Sequence, residues 1–138
     1  GADIIAGFPT EDEAMFANSL ALIDDCDIVF GHVFPYSPRP GTAAARMPQL
    51  GRATAKARAE QLRERAQARR TAWLDSLVGT EQQVLVELDG RTGHAANYAP
   101  VEIPERQDFR FAPDALKGRI MTLTITASDG AKLTGLPA

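Results

Sequence analysis

Hydrophobic positions change their spacing along this chain, and each change marks a different kind of element. Ile4-Ile5-Ala6 is a short continuous apolar run, the pattern of a buried strand, and Gly7-Phe8-Pro9 breaks it. Met15, Phe16, Leu20 and Ile23 then recur at helical spacing, which predicts a helix with its apolar side against a sheet. Thr10 fits the N-cap of that helix, with Glu13 three residues on as its capping-box partner. Acids at 11, 12 and 13 sit near the positive end of the helix dipole. The run from Ile28 to Phe34 predicts a second strand. Strand, helix and strand with short connections form a βαβ unit, and such units are nearly always parallel and right-handed.

Residues 35–51 hold four prolines and two glycines, which predicts an irregular loop of a length that is often functional. Over residues 52–78 good helix formers dominate, so a long helix is expected there. Leu62, Ala66, Trp73 and Leu77 mark its apolar side, with Trp73 packing between helix and barrel, and Gly79 is placed to end it in a left-handed turn. Beyond Gly79 the period becomes two. Val84, Val86 and Leu88 alternate with Leu85 and Glu87, Asp89-Gly90 signals a turn, and Asn97 to Ile103 is a candidate second strand. Arg119 to Ala127 alternates most clearly, Met121, Leu123 and Ile125 against Thr122, Thr124 and Thr126; a last short strand is expected near Lys132-Leu133. Several short antiparallel strands in so few residues predict a small closed barrel, because closure removes vulnerable edges. The fold class is therefore α/β plus all-β, a βαβα portion over residues 1–78 followed by a small antiparallel β-barrel over 79–138.

Composition narrows the function. A hydrophobic content of 44% is enough for a packed core, and no run approaches the roughly 18 apolar residues of a membrane span. The single cysteine, Cys26, cannot form an intrachain disulfide, which fits a reducing, cytoplasmic setting; a small buried hydrophobe at a helix end is its expected role. Cys26, His32 and His94 lack ligand-like spacing, so no metal site is expected. The net charge of −3 hides a division: residues 51–78 carry seven bases against three acids, while both flanking segments are acidic. The bases Arg52, Lys56, Arg58, Arg63, Arg65, Arg69 and Arg70 spread around the helix. That distribution favours a solvated face over a stripe tracking a phosphate backbone.

Three stretches resemble one family. Ile4-Ile5-Ala6-Gly7-Phe8-Pro9-Thr10-Glu11 is similar to "IIVGFPGE", with Thr10 in place of a glycine. Tyr36-Ser37-Pro38-Arg39-Pro40-Gly41-Thr42 matches "YSPRPGT" without departure. Gly90-Arg91-Thr92 followed by Asn97-Tyr98-Ala99-Pro100-Val101 is similar to "GRT…NY.PV". Together they resemble the radical-SAM methylthiotransferases, most closely the branch that modifies N6-threonylcarbamoyladenosine beside the tRNA anticodon. The resemblance implies the end of a radical-SAM partial barrel followed by a TRAM domain, an OB-like RNA-binding barrel. It implies S-adenosylmethionine and [4Fe–4S] clusters as cofactors of the parent protein and tRNA as its partner. A start without Met, directly on a strand-like run, is expected of a C-terminal piece.

The family's CxxxCxxC motif supplies three thiolates to a cluster, and one cysteine cannot do this, so the chain alone is expected to be inactive, with no catalytic residue. The resemblance gives Gly7, Glu11, Tyr36 and Arg39 to the cofactor cavity: Gly7 as room for a nucleoside, Glu11 for a ligand hydroxyl, Tyr36 as lining. Arg39 suits a carboxylate or a phosphate. Plainer readings stand beside these: a turn glycine, a first-turn acid, a rim aromatic, an arginine pinning its own loop carbonyls. Arg91, Asn97 and Tyr98, with Phe109 and Phe111, are candidates for RNA contact through phosphate bonds and stacking. A truncated parallel sheet leaves open edges, so self-association is expected. A stand-alone, non-catalytic RNA-binding module and a sister branch acting on a ribosomal protein are the alternatives.

Overall fold

The apolar run near the N-terminus forms strand β1 (Ala2–Ala6), and β2 (Gly31–Pro35) lies parallel beside it, Ile4 opposite Val33 and Ile5 opposite Phe34. The computed structural model describes residues 1–104 and 113–138. Contacts divide the chain into two units, Gly1–Arg70 and Thr71–Ala138. Phe109 and Phe111 lie outside the described residues.

In the first unit, helix α1 (Glu13–Asp25) connects β1 to β2. Side chains alternate across a strand, so Ala6 and Val33 point to one face and Ile5 and Phe34 to the other. The first face packs on Phe16, Ile23 and Ile28 and on Ala59, Leu62 and Ala66 of the long helix α2 (Arg52–Ser76). Small residues on α2 let its backbone come close to the sheet. The second face leaves Ile5 and Phe34 more than half exposed. Parallel sheets are ordinarily covered on both faces.

Several local expectations are corrected. Thr10 does not cap α1: it sits at φ 70, inside a turn closed by Glu11 N–H donating to the Phe8 carbonyl (3.0 Å). Asp12, in the extended conformation a cap requires, accepts instead from Met15 N–H (2.8 Å). Met15 faces solvent, whereas Phe16 and Ile23 are buried as expected. Cys26 is exposed, because Ile23 and Ile28 take the buried positions around the helix end. Ile28 precedes β2 and returns its N–H to Ile23 (2.9 Å).

In the second unit, Trp73, Leu74 and Leu77 pack into the core of a barrel, which is why the division of the chain falls inside α2 and not at its end. Gly79 follows at φ 85, the left-handed turn expected. The barrel strands are β3 (Glu81–Val86), β4 (Thr92–Ala95), β5 (Pro100–Glu102), β6 (Ile120–Ser128) and β7 (Leu133–Pro137), closed in the order β3-β4-β5-β7-β6. Val84, Val86, Val101, Leu123, Ile125 and Leu133 point inward. One pairing departs from the antiparallel expectation. The chain leaves β5 through the short helix α3 (Pro113–Leu116) before building β6 and β7, so β7 returns parallel to β5. The strand expected over Asn97 to Ile103 is also shorter: Tyr98 turns at φ 66, with its N–H on the Ala95 carbonyl (2.8 Å), and only Pro100–Glu102 pairs.

Between β3 and β4 the Asp89 carboxylate organises the turn that Asp89-Gly90 predicted. It accepts from the Thr92 hydroxyl (2.7 Å) and from the N–H groups of Arg91 and Thr92 (2.9 Å each). The Thr92 hydroxyl, then these two amides, hold its pKa down to about 2. A depressed carboxyl contributes stability that is present above its unfolded value and is lost as pH falls through the folded one. An NMR titration of the Asp89 side-chain carbon is expected to give a midpoint near 2, with turn amide shifts moving only below about pH 4.

Candidate functional site

The site begins with an arginine that the sequence pattern placed on a solvated face. Arg58 lies between Ala55, Ala59 and Leu62 on the buried side of α2 and is only 5% exposed. Its guanidinium donates to the Glu11 carboxylate (2.7 Å) and carbonyl (2.9 Å), pairs with Glu13, and sits 5.1 Å from the centre of the Phe16 ring. Burial is the largest single influence on its pKa and lowers it. The hydrogen bonds and charges of Glu13 and Glu11 outweigh that and hold it above its ordinary value. Arg58 is therefore a permanent buried cation.

Glu11 faces inward as well. Besides Arg58, its carboxylate accepts from Gly7 N–H (3.2 and 3.3 Å). Gly7 turns at φ 71, and a Cβ there would meet the Cβ and Cα of Ala55 at 2.4 and 2.6 Å. Only glycine lets the loop after β1 come this close to α2. The room at Gly7 is thus filled by Ala55, and the Glu11 carboxylate is occupied by the fold.

Next to this junction lies a cavity of about 630 Å³, lined by Gly7, by Pro35 to Pro38, by Gln49 and Leu50, and by Arg52, Ala55, Lys56 and Arg63 of α2. Tyr36 continues the strand ladder through its N–H to the Ala6 carbonyl (2.8 Å), and its ring meets Phe8 edge to face at 5.4 Å. Its hydroxyl is buried without a hydrogen-bond partner among the described residues. Of the four residues expected at the cofactor cavity, Gly7 and Tyr36 share this one. Glu11 stands behind it, and Arg39 is exposed on the loop, its carbonyl taking the N–H (3.2 Å) and hydroxyl (2.8 Å) of Thr42.

The RNA candidates lie on the barrel. Tyr98 is 75% exposed and held out by its left-handed backbone, while the Asn97 side-chain oxygen accepts from Ala99 N–H (3.1 Å) and fixes the turn. Arg91 is exposed at the other end of β4, so a four-residue strand of roughly 13 Å separates it from Asn97 and Tyr98. Leu85, Leu88 and Ile120 form an exposed apolar patch, Leu85 opposite Ile120, that alternation alone did not reveal.

Among the described residues no group of three or more His, Cys, Asp or Glu is placed to hold a metal ion. With a lone, exposed cysteine, the residues present do not fit an iron–sulfur cluster. No helix among them is long and apolar enough to cross a membrane.

No family model matches the chain. Curated relatives do. The chain is 42% identical over 103 residues, 75% of its length, to the threonylcarbamoyladenosine tRNA methylthiotransferase MtaB of Rickettsia prowazekii, covering 24% of that protein. It is 39% identical over 135 residues, 97% of its length, to the tRNA-2-methylthio-N(6)-dimethylallyladenosine synthase of Chromobacterium violaceum, covering 30% of it. A protein of the same name in Stenotrophomonas maltophilia is 36% identical over 132 residues and covered over 26% of its length. The chain thus spans less than a third of the relatives it matches.

Removing one partner of a buried ion pair strands the other. Arg58→Met is expected to lower the unfolding free energy of the chain by about 3–5 kcal/mol, read from urea denaturation. A loss within about 0.5 kcal/mol would mean that the pair does not hold α2 in place.

Proposed function

We infer the function from family membership, for this chain belongs to the radical-SAM methylthiotransferases. The parent protein adds a methylthio group to C2 of N6-threonylcarbamoyladenosine, next to the anticodon of tRNA, in the cytoplasm. This chain supplies a wall of the catalytic cavity and part of the RNA grip. Radical chemistry, with its clusters and S-adenosylmethionine, resides outside the residues described above, and the chain alone is inactive.

The observation that carries this reading is that matches to enzymes named for tRNA methylthiolation extend across both units. The unbroken Tyr36 to Thr42 stretch and the identity to the threonylcarbamoyladenosine-type relative favour that substrate. The residues support a division of roles. Pro35, Tyr36 and Pro38 line the cavity beside Gly7. Arg39 stands exposed on the same loop. On the barrel, Asn97 acts as a positioning residue that presents Tyr98, whose exposed ring suits stacking on an unpaired base, and Arg91 suits a phosphate.

A dimethylallyladenosine substrate is the second reading, favoured by a relative of that name that matches nearly the whole chain. Mass spectrometry of tRNA nucleosides from cells lacking the parent gene separates the two. Loss of 2-methylthio-N6-threonylcarbamoyladenosine, with the dimethylallyl product retained, is expected. Loss of the dimethylallyl product alone would overturn the substrate, and loss of neither would overturn the function.

A further inference from the structure

Six of the seven cations of α2 fall into two sets; the seventh, Arg70, stands apart with its guanidinium 5.1 Å from the centre of the Phe30 ring. Arg58, Arg65 and Arg69 are matched by carboxylates: Glu11 and Glu13, Asp24 (2.9 Å), and Asp27. Arg52, Lys56 and Arg63 are not, and these three line the cavity, whose walls hold no carboxylate. Arg63 donates to the neutral Val33 carbonyl (3.0 Å), which positions it and leaves its charge uncompensated. No hydrogen bond or ion pair engages the exposed side chains of Arg52 and Lys56 among the described residues. The two are one helical turn apart, so they flank the same face.

Three uncompensated positive charges in one concavity attract an anion. A volume of about 630 Å³ falls within the range of ligand sites, roughly 300–1,000 Å³, and exceeds what a lone carboxylate fills. A free carboxylate also offers one charge against three. An RNA strand offers a charge at every nucleotide, and Arg and Lys are the side chains that meet it, as a fork and as a point charge.

We propose that the α2 side of this cavity is a phosphate subsite: Arg52 and Lys56, with Arg63, take backbone phosphodiesters of the RNA substrate, while Gly7 and Pro35 to Pro38 remain the wall assigned above to the catalytic cavity. The inference rests on the tRNA reading above and adds a contact in the first unit to those on the barrel. Phosphate contacts fix register and orientation and do not read sequence. The subsite would therefore hold the strand without choosing the nucleoside.

The test uses the 138-residue chain and a fluorescent tRNA anticodon stem-loop, with anisotropy measured across a salt series. The double variant Arg52→Ala, Lys56→Ala removes only exposed side chains, so folding is expected to persist, as circular dichroism would verify. Binding is expected to weaken roughly ten-fold or more, and the slope of log affinity against log salt to become shallower by about two. Arg65→Ala removes the same kind of charge elsewhere on α2 and is expected to change affinity less than about two-fold. Equal losses in Arg65→Ala and the double variant would reduce the effect to general electrostatics and overturn the subsite. Undiminished binding by the double variant, with Tyr98→Ala weakened, would overturn it and leave the tRNA reading standing. No binding by the unaltered chain at low salt would overturn both.

Discussion

A buried guanidinium organises the first unit. Isolating such a charge from water costs several kcal/mol, and Arg58 is tolerated because two carboxylates, a carbonyl and an aromatic face meet it. The acceptors come from the loop after β1 and the first turn of α1, and the donor comes from α2. Glu11 then passes the constraint on to Gly7, whose N–H it accepts and whose missing side chain admits Ala55. One cation thus sets how closely α2 approaches the ends of the strands. The cavity floor, from Gly7 across to Tyr36, depends on that approach.

Much of this architecture was legible in the residue pattern. The period-two alternation of Leu123 and Ile125 with threonines gave β6, and Gly79 gave the end of α2, because both signals are local. Thr10 misled because its neighbours fold into a turn that forces a left-handed backbone, and the cap passes to Asp12. Arg58 was hidden for a different reason. A helix rich in arginine reads as solvated unless the alanines beside it count as apolar, and Ala55 and Ala59 are among the most buried residues of the unit. The spacing of 55, 59, 62 and 66 was the signal that would have exposed the buried side. The parallel β5–β7 pairing is set by chain path, which no local pattern records.

The same helix shows how one composition serves two purposes. Cations matched by Glu11, Glu13, Asp24 and Asp27 hold structure, and three others, Arg52, Lys56 and Arg63, gather at a concavity. Net charge along the sequence could not separate these sets, because the partners lie far away in the chain. In the barrel the logic is conformational. Tyr98 is exposed because Asn97 and a left-handed turn hold it there, at the cost of backbone strain that an ordinary surface residue does not need.

Hydrogen exchange at the Gly7 amide tests the Arg58–Glu11 junction most directly, since that amide faces the shared carboxylate and not a strand partner. The account predicts strong protection, comparable to the amides in the middle of α1. Exchange at the rate of an open loop would contradict it.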